Sequence, residues 1–103
     1  MDAKEFIKNE LSLFIKQFTK TKASYEYDSS TLVHFVEVVP NEIFRHNSDY
    51  INWEEDMYQR FISSFPDQTI CFVSDDDPVR VEFPEESFEG IDYAPYTNQS
   101  LIF

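Results

Sequence analysis

The first part of the chain spaces its apolar residues as a helix does. Four of them recur at intervals of three or four positions, namely Ile7, Leu11, Phe14 and Phe18. This repeat is expected where one face of an α-helix is buried. Asp2 stands three residues before Glu5, the spacing of a capping box at a helix start. The pattern predicts a helix over about residues 3–21.

Two segments with strand patterns follow, joined by the turn "DSS". In the first, "SYEYD", Tyr25 and Tyr27 alternate with acidic residues, which is typical of a half-exposed edge strand. The second, residues 31–39, has apolar residues on both faces and ends before Pro40. This pattern favours a central strand.

A second amphipathic helix is predicted from Ser48 or Asp49, both good N-cap residues, to about Phe65. Glu54 falls in the middle of its apolar face. A carboxylate there needs a donor or a proton, because an unpaired buried charge costs several kcal/mol. His34 on the central strand is the candidate partner in a buried polar pair. The alternative, which we prefer, places Glu54 near solvent and the positive end of the helix dipole.

The segments "QTICFVS" and "VRVEF" predict a third and a fourth strand, joined as a hairpin through residues 75–78. Residues 84–103 are expected to form an irregular extension packed on the same domain. The sequence therefore predicts a single α+β domain over residues 1–103, in the order α-β-β-α-β-β. Its two helices would cover one face of a three- to four-stranded mixed or antiparallel sheet.

Acidic residues follow the second and third predicted strands. If these strands are parallel, their C-terminal ends share one edge of the sheet, which would gather Glu42, Asp49, Asp75, Asp76 and Asp77. A solvated turn is the first interpretation of the aspartate triplet, and an electrostatic docking edge is the second. A Mg²⁺ or Ca²⁺ site is a distant third, because the triplet lacks the alternation and the glycine of an EF-hand loop.

Charge is the strongest compositional signal. The chain of 103 residues has a net charge of −12. Residues 1–22 carry five lysines against three acids, and the remaining residues carry three arginines against 17 acids. Such a field repels nucleic acids and anionic membranes and speeds encounters with cationic partners. We therefore expect a basic protein as the partner, and no direct binding to nucleic acid or to a membrane.

Several common chemistries find no support in the sequence. The single glycine excludes glycine-rich phosphate loops, and Cys71 has no second cysteine for a disulfide. No signal peptide or run of 18 apolar residues is present, so a cytoplasmic location is expected. No catalytic motif appears, and we expect neither a cofactor nor a metal. A metal-dependent enzyme using Glu42, Asp75 and Asp77 is kept only as a weak alternative.

The sequence thus favours a non-enzymatic, acidic interaction domain. Examples of this class are intracellular inhibitors, such as immunity proteins against nuclease toxins, and mimics of nucleic acid. The acidic residues that follow the two strands would steer the encounter, and Trp53 would supply an anchor. The alternative is a homo-oligomeric structural module, for example a homodimer joined through "SYEYD" or through a ridge formed by Phe6 and Leu13.

Overall fold

The computed structural model describes residues 1–94, which form three helices and four strands. They are α1 (Ala3–Gln17), β1 (Lys22–Asp28), β2 (Val33–Val39), α2 (Asn41–His46), α3 (Ser48–Ser64), β3 (Thr69–Val73) and β4 (Glu86–Glu89). The predicted α+β class is confirmed. None of these helices has the length and the apolar character needed to cross a bilayer.

The four strands form one mixed sheet in the order β3-β2-β1-β4. β1 pairs antiparallel with both β2 and β4, whereas β2 and β3 are parallel. The prediction that "SYEYD" is an edge strand is therefore wrong. β1 lies inside the sheet and the Tyr25 side chain is fully buried, so this segment offers no free edge for a homodimer.

The helices cover one face of the sheet, where the core lies. Alternate residues of β1 and β2 point to this face, as shown by Tyr25 opposite Val36 and Ala23 opposite Val38. α1 packs on β1 and β4, and α3 packs on β3. The core between these layers contains, among others, Ile7, Leu11, Phe14, Tyr50, Met57 and Phe61. We refer to the opposite face of the sheet as the outer face.

The helix boundaries differ in detail from those predicted. Asp2 caps α1 by accepting a hydrogen bond from the Glu5 amide at 2.8 Å, but the helix ends at Gln17. The N-cap of α3 is Asn47, whose side chain accepts from the Tyr50 amide at 2.9 Å. The predicted N-caps, Ser48 and Asp49, are therefore one and two residues too late. Asn, Ser and Asp have similar N-cap propensity, so the sequence alone does not choose among them.

The predicted fourth strand, "VRVEF", is not a strand. Residues 74–85, the crossing segment, instead run over the outer face from β3 to the far side of the sheet. Arg80 bonds Glu37 of β2 at 3.3 Å. The amides of Glu82 and Phe83 donate to Glu26 Oε1 of β1 at 3.1 and 3.2 Å. These groups bond to side chains of the sheet, and no hairpin with β3 forms.

The fourth strand lies instead at Glu86–Glu89 and pairs with β1. It falls inside the region expected to be irregular, so that expectation is wrong for residues 86–89. Phe88 packs against the core, and the Gly90 amide donates to Thr21 O at 2.8 Å just after the strand. The rest of the predicted extension, residues 95–103, lies outside the residues that the structure describes.

The ridge proposed for a dimer is not continuous. Phe6 packs inward, with its ring centroid 6.1 Å from that of Phe61 and 5.8 Å from that of Phe65. Leu13 remains 61% exposed. α3 covers Phe6, and the two residues therefore do not form one surface.

Candidate functional site

The parallel pairing of β2 and β3 brings two acidic segments together. Asn41, directly after β2, donates from its side-chain amide to Asp75 Oδ1 at 2.9 Å, directly after β3. α2 therefore lies beside the aspartate triplet at one edge of the sheet. We refer to Glu42, Asp49 and Asp75, Asp76 and Asp77 together as the acidic edge.

Arg45 of α2 is the central contact of this edge. Its Nε donates to Asp76 Oδ2 at 3.1 Å and its Nη2 to Asp76 Oδ1 at 3.0 Å, a bidentate pair. The same Nη2 donates to Asp77 Oδ1 at 2.8 Å. The guanidinium of Arg45 holds the pKa of Asp76 below its usual value through these hydrogen bonds. The sequence reasoning missed Arg45 because it missed α2.

The triplet also closes a turn at the end of β3. The Ser74 amide donates to Asp77 Oδ2 at 2.7 Å, and the Asp77 amide donates to Ser74 O at 3.1 Å. The buried Ser74 hydroxyl donates to Val38 O at 2.6 Å and ties the turn to β2. Asp77 is therefore a structural turn residue, and Asp76 anchors α2 to that turn.

The acidic edge keeps negative charge despite these contacts. Arg45 is the cation that pairs with Asp76 and Asp77, whereas Asp75 bonds to a neutral amide. Glu42 and Asp49 are exposed and form no ion pair within residues 1–94. Within residues 1–94, Arg45 thus pairs with two of these five carboxylates, and Glu42, Asp49 and Asp75 are in no ion pair.

Glu54 and His34 do not form the predicted pair. The Tyr50 hydroxyl donates to Glu54 Oε1 at 2.7 Å. His34 Nε2 donates to Gln68 Oε1, which can only accept, and its Nδ1 accepts from the Tyr25 hydroxyl, both at 2.7 Å. Both ring nitrogens of His34 are occupied, so the partner of Glu54 is the tyrosine one helical turn before it.

Glu54 is half-buried rather than near open solvent. Burial raises its pKa above the usual value, the hydrogen bond from Tyr50 lowers it, and the charge of Glu55 raises it further. Arg45 acts on it as a favourable charge. Glu54 therefore belongs electrostatically to the neighbourhood of the acidic edge.

Trp53 is half-buried and packs against the core. Its ring centroid lies 4.4 Å from that of Phe14, and it meets Phe72 of β3 edge-on at 6.2 Å. Only part of this ring can therefore contact a partner. Trp53 was predicted as an anchor, and most of its contacts are instead with α1 and β3.

Residues 1–94 contain all 20 acidic and all eight basic residues of the protein, and therefore its whole net charge. Seven of the acids and five of the basic residues form ion pairs with one another; the basic ones are Lys4, Lys8, Arg45, Arg60 and Arg80. The lysines outside these pairs are Lys16 in the last turn of α1, Lys20 just after that helix and Lys22 at the start of β1. Lys22 lines the same surface pocket as Asp75.

Within residues 1–94, no group of three or more His, Cys, Asp or Glu side chains is arranged to hold a metal ion. Comparison of the chain with models of protein families, with curated protein sequences and with solved structures finds no match.

Proposed function

We propose that this protein is a non-enzymatic interaction domain that binds a cationic protein through the acidic edge. The carrying observation is the excess of unpaired carboxylates. Five of the eight basic residues are already held in internal ion pairs, and most acidic residues are in none. The remaining field attracts positive charge and raises the rate of encounter.

The fixed geometry of the edge supports this proposal. Arg45 and the Ser74 turn hold Asp76 and Asp77 in place. Glu42 lies on the same helix as Arg45, so its free carboxylate stands on a fixed frame. A partner then loses little freedom from the protein side when it docks, which favours affinity. An inhibitor of a basic protein, of the immunity type, or a mimic of nucleic acid would use such a surface.

A cytoplasmic role is part of the same proposal. Cys71 is a free, half-buried thiol, and burial raises its pKa above the usual value, as do the charges of Asp77 and Glu54. Such a thiol is a poor nucleophile, and it fits a reducing compartment.

The first experiment is affinity capture with the tagged protein from its own cell lysate, at low and at moderate salt. We expect one basic protein that is lost as the salt concentration rises. Its purified form then serves for measurements of the association rate. Recovery of the tagged protein alone at both salt concentrations would contradict the proposal.

A charge variant tests the location of the contact. The triple change Glu42→Gln, Asp49→Asn and Asp75→Asn leaves Arg45 and its two aspartates intact and should slow association by about tenfold at low salt. The matched control, Glu82→Gln, Glu89→Gln and Asp92→Asn, removes the same charge elsewhere and should have a smaller effect. Equal slowing by both variants would indicate that only the net charge matters.

A further inference from the structure

Among residues 1–94, β3 is an edge strand whose only strand neighbour is β2. We refer to the side of β3 that faces away from β2 as the open margin. Within residues 1–94 no backbone or side-chain group hydrogen-bonds to its other side. Since backbone groups along a strand point alternately to its two sides, part of Thr69–Val73 directs N–H and C=O groups away from the sheet. A row of unpaired groups is a template for another strand.

The sequence of β3 lacks the residues that usually prevent an edge strand from pairing. "TICFV" contains no charged residue and no proline, which are the usual means of blocking an edge strand. The opposite margin differs, since β4 is only four residues long and carries Glu86 and Glu89. The two margins of the sheet are therefore unequal, and β3 is the one suited to pairing.

α3 provides an apolar wall beside the open margin. Ile51, Tyr58 and Ile62 lie seven and four residues apart, on one side of the helix. The first two are 47% and 38% exposed. Arg60, on the other side of α3, bonds Glu10 of α1 at 2.8 Å. The apolar side therefore points away from α1, over β3, where side chains of an added strand would lie.

The charges around the open margin indicate what kind of strand would bind there. Asp67 precedes β3, the triplet of residues 75–77 follows it, and Glu54 and Glu55 lie on α3 above it. A second copy of the chain, paired antiparallel through β3, would bring its own Asp67 beside that triplet, which like-charge repulsion opposes. An extended segment that carries lysine or arginine meets attraction at the same positions.

We propose that β3 takes an extended basic segment of the cationic partner as a fifth strand of the sheet. Main-chain hydrogen bonds to β3 would supply affinity, and contacts with α3 and with the surrounding acids would supply selectivity. This inference rests on the proposed function and adds to it the mode of recognition.

The test uses two synthetic peptides of nine residues with blocked ends. One alternates lysine with threonine or valine, and the other has the same sequence with four consecutive central amides N-methylated. Both carry the same charge, but only the first can pair fully with a strand. Affinity is measured by titration at low salt, and amide hydrogen exchange of residues 69–73 is followed by NMR.

The inference expects the unmodified peptide to bind at least about tenfold more tightly, since the methylated one loses two or more hydrogen bonds. Alternate amides of β3 should become protected on binding. Equal binding of both peptides without protection of β3 would overturn this inference and leave the proposed function standing. If neither peptide binds, the proposed function fails as well.

Two further results would overturn the inference in favour of another occupant. Protection of the same amides in the free protein, together with a dimer in solution, would assign the margin to a second copy. If the free protein is a monomer with the same amides protected, and removal of residues 95–103 abolishes that protection, the occupant of the open margin is the chain itself. Sedimentation analysis of the free protein separates these two results.

Discussion

Replacement of Gly90 by alanine is the sharpest test of the packing between β4 and the end of α1. A Cβ atom at this position would lie 2.2 Å from Thr19 O, 2.5 Å from Thr19 C and 2.8 Å from Thr19 Cα. All three are backbone atoms, so no side-chain rotation can relieve the clash. The chain would have to separate locally by about 1 Å to restore ordinary contact distances.

The cost of this separation can be worked from the contacts that it strains. Two backbone hydrogen bonds fix the region, Gly90 N to Thr21 O at 2.8 Å and Asp92 N to Thr19 O at 2.9 Å. Each contributes about 0.5–1.5 kcal/mol, and overpacking adds about 1–3 kcal/mol. The expected loss is roughly 2–6 kcal/mol, a large part of the stability of a small domain.

The assay is urea denaturation followed by tryptophan fluorescence, with the melting temperature as a second readout. Gly90→Ala should lower the free energy of unfolding by the stated amount and the melting temperature by roughly 10 °C or more. The control is Ile91→Ala, because Ile91 is 90% exposed and its loss should change stability by less than about 0.5 kcal/mol.

The sign of the effect makes the test decisive. Gly90 does not have a positive φ, and at such a position alanine ordinarily stabilises a protein by about 0.4–1 kcal/mol through the unfolded chain. A Gly90→Ala variant as stable as the wild type would refute the close approach of Gly90 to Thr19.

Three further predictions concern buried polar groups. Tyr50→Phe removes the donor to Glu54 and should cost about 1 kcal/mol in urea denaturation, whereas an unchanged stability would count against this hydrogen bond. Because burial raises the pKa of Glu54, the folded protein holds this proton more tightly than the unfolded chain, and the wild type loses stability as pH rises through that raised value. We subtract the free energy of unfolding of the wild type from that of Glu54→Gln, and this difference should therefore be larger at pH 7 than at pH 4. A difference that does not increase would contradict the raised pKa of Glu54. His34→Leu leaves the Tyr25 hydroxyl and the Gln68 amide without their partner and should cost about 2–4 kcal/mol, of which an added Tyr25→Phe recovers part; a double-mutant cycle without coupling would disprove the network.

The sequence was informative where apolar spacing is strong. α1, the β1–β2 hairpin, α3 and β3 all show an apolar spacing that indicates the element directly. The sequence left open whether β2 and β3 are parallel, and the structure shows that they are. The partner of Glu54 could also have been found, because Tyr50 lies four residues earlier on the same helix face.

The fourth strand shows where local pattern fails. "VRVEF" alternates as a strand should, yet Val79 is 53% and Phe83 77% exposed, and the segment lies between two prolines. "ESFE" has weak strand propensity and is selected by tertiary context. β1 offers it an unpaired side, Phe88 packs against the core, and Gly90 permits the close approach to the backbone of Thr19, just after α1.

The acidic edge was predicted as a location but not as a structure. Its carboxylates were grouped from the sequence on the condition that β2 and β3 are parallel, and the structure shows that pairing. The contacts of Arg45 could not, because a six-residue helix after a proline leaves little periodicity to detect. The sequence therefore could not tell which of these carboxylates are bound within the fold and which remain free.

The strand order β3-β2-β1-β4 also has a consequence for how the chain folds during synthesis. The two central strands, β1 and β2, are made first and can pair within microseconds. β3 emerges more than 30 residues later, which at ribosomal speed is a few seconds, and β4 follows it. The nascent hairpin thus spends seconds with both of its sides unpaired, and the sheet is completed from its centre outward, with Glu86–Glu89 added last.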